Sequence, residues 1–231
     1  MTVFAYNKHC SSQFVTFNNM TIFKNLAFLS MFIDHLAYAL MPEYEFLRMI
    51  GRFAFPVFAF IAVYNFLYNI SEPIKHLKNL FILAFISQFP YFLLFDTYIL
   101  NIFFSFFFGL TSIYLLQKYN SLFQILFNII FFSMLSFSVD YSIYGYVFIL
   151  SVYVLFLKFN IFSFVLVLLS SILINYPNLD YSFITLFFTI LVLINLYFNF
   201  NLNIKFLNYR FDKYFYYILY PMHLSIIYLL V

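Results

Sequence analysis

The amino-acid sequence predicts an all-α fold, a polytopic membrane helix bundle of about nine transmembrane helices with the N-terminus cytoplasmic and the C-terminus outside. Three observations predict it. The 231 residues are 66% hydrophobic and 8% charged, with a mean hydropathy of +0.97, whereas about a quarter of the residues of a soluble domain are charged. That leaves too little polar surface to coat a globule in water, so the solvent is largely lipid. Apolar runs of about 16–21 residues recur between short polar breaks, the length that a hydrocarbon core imposes on helices. The basic residues, finally, fall on alternate breaks.

The elements follow in order. Residues 1–21 are polar and mixed, without the basic stretch, short apolar stretch and small-residue site of a cleaved signal, and they read as a tail. A single membrane domain, 22–231, then holds runs at 22–41, 48–68, 77–95, 98–117, 121–138, 142–158, 160–175, 181–198 and 214–231. Turn and helix-end residues separate them: Pro42, Ser71-Glu72-Pro73, Asp96, Asn120-Ser121, Asp140, Asn160, Tyr176-Pro177-Asn178 and the longer "NFNLNIKFLNYRFDK". Nine spans place Lys8, Lys24, Lys75, Lys78, Lys118, Lys158, Lys205, Arg210 and Lys213 on one side, nine of the 11 Lys and Arg. The positive-inside rule makes that side cytoplasmic. The other side receives Arg48 and Arg52 with Glu43, Glu45, Asp96, Asp140 and Asp180.

Several chemistries are excluded. Cys10 is the single cysteine, so neither an internal disulfide nor a cysteine-based zinc cluster forms. Gly51, Gly109 and Gly145 are the only glycines, which leaves no phosphate-binding glycine loop. No metal site and no nucleic-acid partner are expected. An apolar outer face looks the same whether it meets lipid or a second copy, so the oligomeric state stays open.

Polar groups inside the runs converge in depth. At about 1.5 Å per residue, Asp34 and His35 on the first span lie two-thirds of the way across. Arg48 and Arg52, four apart on the second span, share a face, and Arg52 reaches the level of Asp34. Gln88 on the third span, Asn101 and Ser105 on the fourth and His223 near the middle of the last lean the same way. An ionisable residue at such depth costs about 2.5–3.5 kcal/mol and so marks a bundle interior and a function. Bland readings stand beside this one: an Asp34–Arg52 pair as helix glue, core histidines held by backbone, and Gln88, Asn101 and Ser105 as interhelical hydrogen bonders. Asp34 and His35 project about 100° apart and need not touch. Asp34 can hold Arg52 while His35, with a side chain that titrates near neutrality, moves protons.

The segments "KNLAFLSMFIDHLAYAL", "LRMIGRFAFPVFAFIA", "LKNLFILAFISQFPYFLLF", "LNIFFSFFFGL", "DYSIYGYVFIL" and "YFYYILYPMHLSIIYLL" together resemble the TraX family of conjugative pilin acetylases. More distantly the chain is similar to the wider superfamily of integral-membrane acyltransferases. The resemblance implies transfer of an acetyl group from acetyl-CoA to an amine, the amino terminus of a pilin or another small membrane peptide, or to a glycan, in the bacterial inner membrane. It points to His35 as the catalytic residue, with Asp34, Arg52 and His223 in the site. Arg48, Gln88, Asn101, Ser105 and Tyr220 are the expected substrate-binding set, with Arg52, Asn101 or Gln88 as oxyanion donor. Lys75, Lys78, Lys205 and Arg210 are placed to attract the CoA phosphates. Two other classes fit an Asp, a His and an Arg in a bundle: a proton-coupled secondary transporter, and a non-catalytic membrane partner in envelope or pilus assembly.

Overall fold

The computed structural model describes residues 17, 19–198, 200, 202, 204, 207–209 and 213–231. Lys205, Arg210 and all but the end of the 1–21 tail lie outside the described residues. Among those described, the chain is helical throughout: α1 (Met20–Leu40), α2 (Glu45–Gly51), α3 (Ala54–Tyr68), α4 (Pro73–Phe95), α5 (Ile102–Lys118), α6 (Leu122–Ser136), α7 (Ser142–Leu157), α8 (Ile161–Leu173), α9 (Leu179–Phe198) and α10 (Lys213–Leu230). Two residues separate α2 from α3, and together they form one apolar stretch of 24 residues, Glu45–Tyr68. Ten helices therefore occupy the nine runs read from hydropathy. By length and composition, Glu45–Tyr68, Pro73–Phe95 and Leu179–Phe198 are long and apolar enough to cross a membrane. Five shorter apolar helices pack among them.

Two expected runs are broken, each for a local reason. The run 48–68 is interrupted at Arg52-Phe53, because Pro56 has no N–H to close onto the Arg52 carbonyl and its ring crowds that oxygen. The chain tightens instead, with Arg52 N–H bonding Met49 O at 3.1 Å and Phe53 N–H bonding Ile50 O at 3.2 Å. The run 98–117 begins as a helix only at Ile102. Asn101 caps it, its side chain accepting from Phe103 N–H. Leu100 instead forms an isolated parallel bridge with Val139. Leu100 N–H bonds Ser138 O at 2.9 Å, and Asp140 N–H bonds Leu100 O at 2.8 Å.

Helix α3 is central: nine of its 15 residues are buried, and Val57, Phe60 and Val63 pack with Phe148, Ile149 and Val152 of α7 in the main core. Helix α6 is peripheral, with Asn128, Phe132 and Ser136 as its buried residues. Its outer face carries Phe123, Phe127, Phe131 and Met134, all exposed, the face that a lipid solvent tolerates. Helices α1 and α10 run in the same direction. Tyr216 donates to Asn25 near the start of both, and His35 meets His223 farther along.

Candidate active site

The α2–α3 break delivers Arg52 to α1. Its Nη2 donates to both carboxylate oxygens of Asp34 at 3.1 Å. Its Nη1 donates to Asn175 Oδ1 at 3.2 Å and its Nε to the Arg48 carbonyl at 3.3 Å. The guanidinium also lies over the Tyr181 ring, 4.9 Å from the centroid. Asn175 is oriented in turn by Thr185, to whose Oγ1 it donates at 2.6 Å. Every nitrogen of Arg52 is thus occupied, as a charge withdrawn from water requires. This closeness depends on Gly51, where a Cβ would lie 2.3 Å from Asp34 Cβ. Arg48, one turn earlier, puts its Nε 3.6 Å from Asp34 Oδ1 and its guanidinium over Tyr38 at 5.1 Å.

The neighbouring residue on α1 faces a different partner. His35 Nδ1 lies 2.7 Å from His223 Nε2. The two ring planes differ by 5° with centroids 5.0 Å apart, so the imidazoles meet edge to edge rather than face to face. Protons can be assigned. His223 Nδ1 lies 2.9 Å from the Leu219 carbonyl, which can only accept, so Nδ1 carries the proton. In a neutral His223, Nε2 is then the acceptor, and His35 Nδ1–H donates to it. The remaining nitrogen of His35, Nε2, keeps its lone pair. This chain of bonds leaves His35 with the lone pair that a base needs and His223 as the residue that sets its tautomer. The His35 ring is further held by Phe95, 5.3 Å away edge-on, and Tyr220, which packs on Phe103 at 4.5 Å.

A cleft of about 720 Å³ runs between α1 and α10, with Asn25 and Tyr216 towards one end and His223 at the other. Leu29, Phe32, Phe215 and Leu219 wall it, and the first three are exposed at the bundle's outer surface.

The structure shows what the other expected residues bond within the protein. Gln88 Nε2 donates to Ile99 O at 3.0 Å, and Gln88 Oε1 accepts from Asn101 N and Nδ2 at 2.8 and 2.9 Å. Asn101 Nδ2 also donates to Ala84 O at 2.8 Å. Ser105 donates to the Asp140 carbonyl at 2.7 Å. Their polar atoms build the α4–α5 turn and its seam with the α6–α7 turn. Lys75 pairs with Glu72 at 3.2 Å, and Lys78 is exposed at the start of α4. Among the described residues no His, Cys, Asp and Glu cluster is arranged to hold a metal ion.

Sequence reasoning missed Asp140, Tyr141, Asn175 and Tyr181. Asp140 has the sequence setting of an outer loop residue, yet its turn folds inward. Its carboxylate accepts from Tyr141 N–H at 3.0 Å, and Tyr141 packs on Phe55 with centroids 4.4 Å apart. Burial pushes the Asp140 carboxyl up to about 6, while the Arg52 charge and the Tyr141 N–H pull the other way. The polar Asn175 closing "SSILIN" was the available signal for the α8 end.

Comparison with known proteins places this arrangement. A family model described as "TraX protein" matches residues 19–231. An uncharacterised protein of Rickettsia prowazekii (strain Madrid E) is 49% identical over 49 residues, covering 21% of this chain and 20% of the relative. The chain thus matches only about a fifth of that relative's length. No solved structure matches. The family match takes in every helix from α1 to α10, and with them the Asp34–Arg52 and His35–His223 pairs. The chain belongs to the TraX family.

Proposed function

We propose that this protein is an acyltransferase of the bacterial inner membrane. It moves an acetyl group from cytoplasmic acetyl-CoA to an acceptor amine, the amino terminus of a pilin or another small membrane peptide. The observation that carries the reading is the His35–His223 pair, whose bonding leaves one imidazole lone pair on His35, next along α1 to the Asp34 that pairs with two arginines. The cleft supports it in length. With the starts of α1 and α10 on the cytoplasmic side, the cleft lining on α10 rises about 12 Å from Phe215 to His223, the partner of His35. The pantetheine arm of a CoA thioester is about as long as four extended residues, roughly 13–14 Å.

In the reaction the amine nitrogen attacks the thioester carbonyl carbon and His35 Nε2 takes the amine proton, a contribution of typically 10²–10⁴-fold. The C–S bond then breaks, and the CoA thiolate recovers the proton from His35. The products are the amide and free CoA thiol. Asp34 and Arg52 hold α1 against the α2–α3 break and so fix His35.

Thiol release from acetyl-CoA by the purified protein, with peptides bearing free amino termini, tests the reading. Turnover is expected in the wild type and is lost in His35→Ala at matched folding. Equal turnover in both variants would remove His35 from the chemistry. A folded wild type that releases no thiol with any acceptor would refute acyl transfer and favour proton-coupled transport.

A further inference from the structure

We propose that Arg48, not Arg52, supplies the oxyanion donor of the acyl transfer, its Nε–H receiving the charge that develops on the thioester carbonyl oxygen. The proposal rests on the acyl-transfer reading. It begins with elimination. The three donors expected for this role already bond within the protein: each nitrogen of Arg52 has an acceptor, and Gln88 and Asn101 are tied into the α4–α5 turn. Arg48 Nε differs. It is buried and has no hydrogen-bond partner, and its distance of 3.6 Å from Asp34 Oδ1 is an ion-pair distance, beyond a hydrogen bond.

A buried charged N–H that goes unmet is costly in the resting protein. It is what transition-state stabilisation needs, because a donor satisfied only when charge develops lowers the barrier rather than the ground state. Its position is held. Arg52 Nε bonds the Arg48 carbonyl, so the backbone of α2 at Arg48 is locked to the Arg52–Asp34 pair, and Asp34 restrains the Arg48 head from the other side.

The surroundings bring Arg48 to the base. Its guanidinium lies over Tyr38, Tyr38 packs on Phe95 with centroids 4.7 Å apart, and Phe95 packs on His35. Two guanidiniums here face the carboxylate of Asp34, and one of them, Arg52, bonds both of its oxygens. In the step itself, the amine lone pair forms the C–N bond and the carbonyl π electrons move to oxygen, where Arg48 Nε–H meets them. His35 Nε2 takes the amine proton. Collapse reforms C=O and expels the thiolate, which is protonated from His35.

The test compares wild type, Arg48→Met and Arg48→Lys for kcat and for KM of acetyl-CoA and acceptor peptide, with binding of S-ethyl-CoA, a thioether without the carbonyl. Arg48→Met is expected to lower kcat by about 10²–10³-fold, with both KM values and S-ethyl-CoA affinity within about threefold. Arg48→Lys keeps a cation against Asp34 but loses the fixed N–H, and its kcat falls at least about tenfold. If Arg48→Met does not fold, Arg48→Lys decides. A wild-type kcat in Arg48→Lys overturns the assignment, as does a loss in Arg48→Met confined to the acceptor KM. Wild-type protein that releases no thiol refutes the acyl-transfer reading itself, a different outcome from either.

Discussion

Gly51→Ala adds one methyl group and should cost more than any other single-carbon change at this site. The new Cβ would sit 2.3 Å from Asp34 Cβ, 2.5 Å from its Cγ and 2.9 Å from Oδ1. Carbon atoms pack at about 3.5–4.0 Å, so α1 and α2 must part by roughly 1.2–1.7 Å. No rotamer change relieves the clash, because the nearest atom is Asp34 Cβ, fixed to the α1 backbone. The Arg52–Asp34 bonds of 3.1 Å would stretch beyond hydrogen-bonding range. Overpacking costs about 1–3 kcal/mol, and breaking a buried ion pair costs about 3–5 kcal/mol. His35 moves with Asp34, and a misplacement of about 1 Å costs about 10²-fold in rate. The assay is thermal unfolding in detergent beside acetyl-CoA thiol release. Gly109→Ala is the control: its Cβ would meet Ile149 Cγ2 at 2.8 Å and Cδ1 at 3.0 Å, side-chain atoms that can turn away, between α5 and α7. A Gly51→Ala protein that melts with the wild type and turns over within threefold of it would refute the close-approach argument.

Two further outcomes follow from the same geometry. His223→Phe removes the acceptor of His35 Nδ1–H and should lower kcat by about 10²-fold or more, the scale of general-base catalysis; His223→Gln, which restores an acceptor, should recover part of it, and a wild-type rate in His223→Phe would end the tautomer assignment. Asp140 titrates at about 6 in the fold and at about 3.9 in an unfolded chain. The native state therefore binds more protons between those values, and this group's contribution to stability falls as pH rises through that window. Melting temperatures of wild type and Asp140→Asn, measured from pH 4 to pH 8, should diverge with rising pH in favour of the variant; parallel curves would show that the carboxyl is not held in this way.

Much of this molecule is local and therefore readable from one chain. Hydropathy alone places the helices, because lipid forces every backbone polar group to be satisfied within its own segment. Asn101 and Asn160 act at helix starts through short-range bonds, and Pro73 through its fixed backbone angle. Pro56 breaks the second run for an equally local reason, although hydropathy cannot show it. The Asp34–Arg52 pair was within reach because successive antiparallel spans meet at a depth that counting residues predicts. Other features depend on which helices become neighbours. His35 and His223 are 188 positions apart, and equal depth does not reveal that α1 and α10 touch or that Leu219 fixes a proton. Gln88 and Asn101 lie at the right level, but only the tertiary structure shows that they bond each other across the α4–α5 turn. Asp140 looks like a solvated loop until its turn pairs with Leu100. Arg48 and Arg52 are identical residues one helical turn apart. Tertiary packing surrounds Arg52 with acceptors and leaves a buried N–H of Arg48 without one.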